Sequence, residues 1–243
     1  MNCFGYGRAG DAWCGSRLGT RICGYGRVLL FAVLLLAVCW IATGQNAQAK
    51  GLTAGVAKVD ITNTEAGPVN DPLYAKALVL KRDETTAVII TIDAVAIAEI
   101  GSIRNEFLAT VRGRIEKELG IRPESVLVNA SHCHGVVCED IEERTFQAVE
   151  KALQQMVPVR VGAGVGHEDR IMVNRRLKLK NGKEVDVRHA YSLPPDDEVA
   201  EVGPIDPEIG ILRLDREDGE TLAVVYNFAC HPIQGVPSGG NSA

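Results

Sequence analysis

Beyond residue 50 the spacing of apolar residues switches from two to four and back to two, and this alternation limits the chain to folds that mix strands with helices. Leu52 to Ile61 (LTAGVAKVDI) alternates as a half-buried strand does. Ala75 to Leu80 and Ala87 to Ile92 do the same on either side of the polar Lys81-Arg82-Asp83-Glu84, predicting two strands joined by a turn. The period then becomes four: Ile103, Phe107, Val111 and Ile115 form a stripe widened by Leu108 and Leu119. Arg104, Glu106, Arg112, Arg114 and Glu116 fall outside that stripe, and Gly120 stops the helix. Ser125 to Asn129 (SVLVN) is short, continuous and β-branched, the pattern of a strand buried on both faces. A second helix is predicted from about Glu139 to Met156, with Ile141, Phe146, Val149 and Leu153 on its apolar side and Pro158 at its end.

The last third reads as mostly β. Asn181-Gly182 divides two alternating runs within Leu177 to Val187, and Asp218-Gly219 lies between Ile209–Leu214 and Leu222–Ala229, so two hairpins are expected. Ser192 to Asp197 and Val199 to Asp206 read as loop. The expected fold class is therefore α/β: a mixed β-sheet with flanking helices and β-hairpins in the last third.

The first forty-nine residues follow a different rule. Arg8, Arg17, Arg21 and Arg27, against the single acid Asp11, precede an apolar run from Val28 to Ala42, and the small-residue pattern Ala47-x-Ala49 follows. Positive charge, apolar stretch and small-residue site in that order are the marks of a Sec-type signal peptide. Residues 1–49 are expected to be removed, which predicts a secreted or periplasmic location. The competing reading is a retained anchor, although 15 apolar residues fall short of the ~20 that span a bilayer. The leader has no Arg-Arg pair, which disfavours a twin-arginine signal.

Residues 50–243 carry 22 basic and 30 acidic side chains, a net charge of −8, and aromatics are only 5% of the whole chain. That balance removes both the electrostatic and the stacking basis for a nucleic-acid partner. Cys133, Cys138 and Cys230 remain after the leader is removed, too few and too odd a number for a disulfide framework.

Three polar clusters stand just past predicted strands, where open α/β sheets place their ligands. Asn129-Ala130-Ser131-His132-Cys133-His134-Gly135 follows SVLVN, Asn227-Phe228-Ala229-Cys230-His231-Pro232 follows LAVVY, and Asp93 follows VIITI. Histidines at i and i+2 reach the same side of an extended segment, so His132 and His134 can approach one ion or one substrate. Zinc takes imidazole nitrogen readily. The bland alternatives are a capped His-Pro turn and a turn-forming Asp93. What raises the first two clusters above them is that three of only five histidines lie just beyond apolar strands. His167 and His189 sit in polar surroundings and read as surface residues.

From Val59-Asp60-Ile61-Thr62, through Ser131-His132-Cys133-His134-Gly135 and Asn174-Arg175, to Asp206-Pro207 and Asn227-Phe228-Ala229-Cys230-His231-Pro232, residues 51–235 resemble the N-terminal part of the neutral, non-lysosomal ceramidases. These are zinc amidases, secreted or membrane-facing. The resemblance implies that residues 50–243 are the N-terminal part of a zinc hydrolase domain in which His132 and His231 bind zinc. It further implies that His134 acts on or beside a zinc-bound water and that Arg175 holds polar groups of the substrate. The implied partner is a small-molecule or lipid amide, with transient contact to a membrane surface. The family's remaining Glu and Tyr ligands and its substrate-side serine come from later segments, so they are expected beyond this chain.

Cys133 replaces the family's Thr, Gly135-Val136-Val137 its Ser-Gly-Pro, Arg176 its Ser, and Ile233-Gln234 its Thr-Ser. These departures leave the particular lipid open. Two alternatives compete with the amidase reading. One is an exported remnant domain that keeps the fold without the activity. The other is an amidohydrolase-type (β/α)₈ barrel, against which the paired hairpins argue. No Gly-x-Ser-x-Gly elbow supports a serine hydrolase.

Overall fold

The computed structural model describes residues 51–187 and 192–231. The expected leader, His189 and residues 232–243 lie outside the described residues. Strands β1 (Thr53–Asp60) and β2 (Tyr74–Arg82) pair antiparallel along their whole length, Thr53 opposite Lys81 and Asp60 opposite Tyr74. The chain returns as β3 (Thr85–Ile92) through a tight turn in which Asp83 adopts a φ of 52°. Helix α1 (Phe107–Leu119) then carries it to β4 (Val126–Ala130), which lies parallel to β3. Gly120 ends α1 as expected, in the left-handed region with its N–H on the Glu116 carbonyl. Helix α2 (Ile141–Gln154) follows, and β5 (Val157–His167), β9 (Glu208–Arg216) and β10 (Thr221–Phe228) complete a seven-stranded mixed sheet of order β10-β9-β5-β1-β2-β3-β4. A separate three-stranded sheet holds β6 (Arg176–Leu179) between β7 (Glu184–Asp186) and β8 (Val199–Val202).

Both predicted hairpins form, β6–β7 across Gly182 and β9–β10 across Gly219, each glycine at positive φ. Two expectations need correction. SVLVN is not buried on both faces: Val126 and Val128 are buried but Leu127 is 57% exposed, because β4 is the edge strand and meets helices on one side only. Residues 199–202 are strand rather than loop, held by backbone pairing to β6 in a strand too short to show a period. The eleven-residue β5 had no expectation at all. Gly162, Gly164 and Gly166 remove the side chains that would have marked it.

Two apolar layers explain the architecture. On one face of the sheet, Ala75, Ala77, Val79, Ile90, Ile92 and Val128 pack under Phe107, Val111 and Ile115 of α1 and Phe146, Val149 and Ala152 of α2. On the opposite face, Ala54 and Leu78, with Val56, Leu80 and Ile89, meet Val159, Leu212, Leu214, Ala223 and Val225. The second group belongs to β5, β9 and β10 of the same sheet. The sheet is therefore folded over on itself, hinging where β1 and β5 share only the pairs Thr53–Pro158 and Ala54–Val157.

Candidate metal centre

The fold-over brings together what a flat sheet would hold apart. Six inter-strand gaps of ~4.8 Å would put the β4 and β10 edges about 29 Å from each other. His132 lies two residues past β4 and His231 three past β10, too few residues to span that gap, yet their ring centroids are 4.7 Å apart. His134 completes the group at 4.9 Å from His132 and 5.8 Å from His231. One ligand nitrogen from each histidine lies within 4.8 Å of the other two.

His132 and His134 do not converge by the pleat of an extended strand, as their spacing had implied. His132 takes a φ of 64°, in the left-handed region, so the chain turns at that residue. Its Nδ1 lies 2.9 Å from the Val95 carbonyl. A carbonyl only accepts, so Nδ1 carries a proton, and Nε2 is the ring nitrogen left facing the cluster. That Nε2 is 3.4 Å from Nε2 of His134. The segment is tied again further on, where Asn63 N–H donates to Val136 O and Cys138 N–H to Ile61 O.

Electrostatics favour the neutral form of His134. Burial pushes the His134 imidazole below its ordinary 6.5, and the neighbouring His132 and His231 push it the same way. Cys133 stands between the two histidines in sequence, and burial raises its thiol above the usual range, disfavouring the thiolate that zinc prefers. Burial and a hydrogen bond to Asp140 raise Cys138 to about 11. The three described cysteines form no disulfide with one another.

Asp93, the third candidate cluster, is not among the converging ligands. Asp93 is only 3% exposed, and its carboxylate accepts from Tyr74 N–H, Lys76 Nζ and Ser131 Oγ. Arg175 is exposed in the segment leading into β6. Its carbonyl accepts from Val187 N–H, and among the described residues its guanidinium makes no hydrogen bond or ion pair. His167, read as a surface residue, is exposed and lies 3.4 Å from Asp169. Sequence reasoning missed Lys76 and the Val95 carbonyl, and named Ser131 without giving it a role. The usable signal was Lys76, a charge on the same strand face as Leu78 and Leu80.

Three imidazoles are a donor set that zinc accepts. Bonds of ~2.0–2.1 Å would place two nitrogen ligands of a tetrahedral centre about 3.4 Å from each other, the separation found between Nε2 of His132 and Nε2 of His134, and the His231 nitrogen lies within 4.8 Å of both.

No family model matches the chain. It is 27% identical over 175 residues to squalene monooxygenase of Rattus norvegicus, covering 70% of this chain and 28% of that protein. A ceramidase complexed with C2 aligns at a TM-score of 0.53 and 17% identity, over 73% of this chain and 31% of the other. Neutral ceramidase from Pseudomonas aeruginosa aligns at a TM-score of 0.52 and 17% identity, over 79% and 38%. The chain thus spans about a third of the length of the proteins it matches, and what it shares with the two ceramidases is their fold: a neutral-ceramidase-like α/β architecture.

Proposed function

We propose that this chain carries the histidine part of a zinc-dependent amide hydrolase centre, ceramidase-like in chemistry as well as fold, acting on the N-acyl bond of a lipid or lipid-like substrate. The observation that carries the reading is the meeting of His132, His134 and His231, which come from opposite edges of the sheet. His132 and His231 would hold the ion. Zinc bound there would polarise the amide carbonyl and bring the pKa of a water toward ~7. His134, held neutral by its surroundings, takes a proton on the nucleophile side and returns it to the leaving amine. The exposed guanidinium of Arg175 binds polar groups of the substrate. A lipid substrate implies transient contact with a membrane surface, and the leader implies a secreted or periplasmic location. No described helix is long and apolar enough to cross a membrane.

One observation is equally compatible with a second role for His134. The 3.4 Å between its Nε2 and that of His132 fits a third ligand as well as it fits a proton carrier.

Metal analysis of protein purified without chelator, alongside hydrolysis of a short-chain fluorescent N-acyl substrate, tests the proposal. Zinc that a chelator removes, and that is lost in both His132→Ala and His231→Ala, is the expected result. Zinc without turnover would favour the remnant-domain reading. A wild-type chain that binds no zinc would refute the metal centre.

A further inference from the structure

His132 holds a backbone conformation that its own Cβ disfavours, so the surrounding structure must supply what keeps it there. Three contacts do so, and all come from residues 92–95. Ser131 N–H donates to Ile92 O at 2.9 Å, Ser131 Oγ donates to Asp93 Oδ1 at 3.1 Å, and the His132 ring meets Val95 O. Asp93 is the hub of the group. Its Oδ2 also accepts from Tyr74 N–H at 3.0 Å, and both its oxygens accept from Lys76 Nζ, at 2.8 and 2.7 Å. Buried carboxylates persist only when paired and hydrogen-bonded, and here the partners come from β2 on one side and the segment after β4 on the other. Each oxygen already accepts two hydrogen bonds, which fits an anchoring role better than that of a metal ligand.

The geometry points to Asp93 as the positioning residue of the histidine centre: through Ser131 it fixes the turn at His132 and keeps Nδ1 on the Val95 carbonyl, so that Nε2 is presented to the ion. This rests on the reading of His132 as a ligand. It adds that the centre is tuned from β2 and β3, which contribute no ligand of their own.

Ser131→Ala removes the hydroxyl from an exposed side chain with little risk to the fold. Ser131→Thr keeps the hydroxyl, and Asp93→Asn weakens the hub. In metal-free protein, long-range ¹⁵N–¹H correlation should show His132 as the Nδ1–H tautomer in the wild type and in Ser131→Thr. Ser131→Ala and Asp93→Asn should show a mixture of tautomers. Chelator competition should show zinc affinity falling roughly 10- to 100-fold in Ser131→Ala, with recovery in Ser131→Thr and an unchanged melting temperature for the apoprotein. If Asp93→Asn does not fold, Ser131→Ala carries the test. Wild-type tautomer and wild-type affinity in Ser131→Ala would overturn the inference. If the wild type binds no zinc, the metal reading fails, while the tautomer comparison still decides whether Asp93 positions His132.

Discussion

Gly55 lies on β1 where α2 crosses the sheet, and a methyl group there is the sharpest available test of the helix packing. A Cβ at Gly55 would stand 1.9 Å from the Ala152 carbonyl oxygen and 3.0 Å from Met156 Sδ. Carbon and oxygen need about 3.2 Å, so α2 would have to retreat by roughly 1.3 Å, and a backbone carbonyl cannot rotate out of the way as a side chain does. A gap of 0.5–1 Å already forfeits about a quarter to a half of a dispersion contact. Ala148, Val149 and Ala152, all fully buried, would lose theirs together. We place Gly55→Ala at the upper end of the usual overpacking range, about 3 kcal/mol of destabilisation, or a fall in Tm of roughly 6–12 °C for a domain of this size. Gly113→Ala is the control. Gly113 is exposed within α1 and has nothing within 4 Å of the new methyl, so helix propensity alone should raise stability by about 1 kcal/mol. Urea unfolding followed by far-ultraviolet circular dichroism should move the two midpoints in opposite directions. A neutral or stabilising Gly55→Ala would refute the close approach of α2 to β1.

If His134 moves protons without holding the ion, His134→Ala should keep most of its zinc while turnover falls by ~10²–10⁴-fold; loss of zinc would assign His134 as the third ligand. Arg175→Ala should chiefly raise KM, as removal of a contact made equally in ground and transition states does, and an unchanged KM would exclude Arg175 from substrate binding. The depressed His134 pKa means that the unfolded chain binds the proton more tightly than the folded one. Stability from this group should therefore be complete above pH 6.5 and lost as the pH falls from there through the folded-state value. Proton NMR titration should give a His134 midpoint below 6.5 that rises in His132→Ala, and a midpoint at or above 6.5 in the wild type would contradict the clustering. Intact-mass measurement of exported protein should show a chain that starts at Lys50, whereas a full-length chain in the membrane fraction would favour the anchor.

What the sequence made legible was local. β1, β2 and β3 could be read because their side chains alternate against a core, and α1 because its stripe ends at a glycine that accepts the left-handed region. β5 escaped because glycines erase the alternation that periodicity depends on, and β8 because four residues do not make a period. The three clustered histidines were singled out by type and position, each just past an apolar strand. Their meeting was not legible. It depends on strand order and on the packing of Leu78 against Leu214, which no window of neighbouring residues encodes. The left-handed turn at His132 was equally hidden, since it is held by Asp93 and Val95 almost forty positions earlier.

The separation of 99 positions between His132 and His231 has a kinetic corollary. Contacts between residues so distant in sequence close large loops and belong to the slow part of folding, so the histidines can assemble only after β9 and β10 have docked over the first half of the sheet. A chain whose β10 has not yet docked does not bring the three histidines together. An ion that binds only the finished fold stabilises it in proportion to the logarithm of ion concentration over Kd. If an ion binds as proposed, its loading would distinguish completed molecules from those still folding.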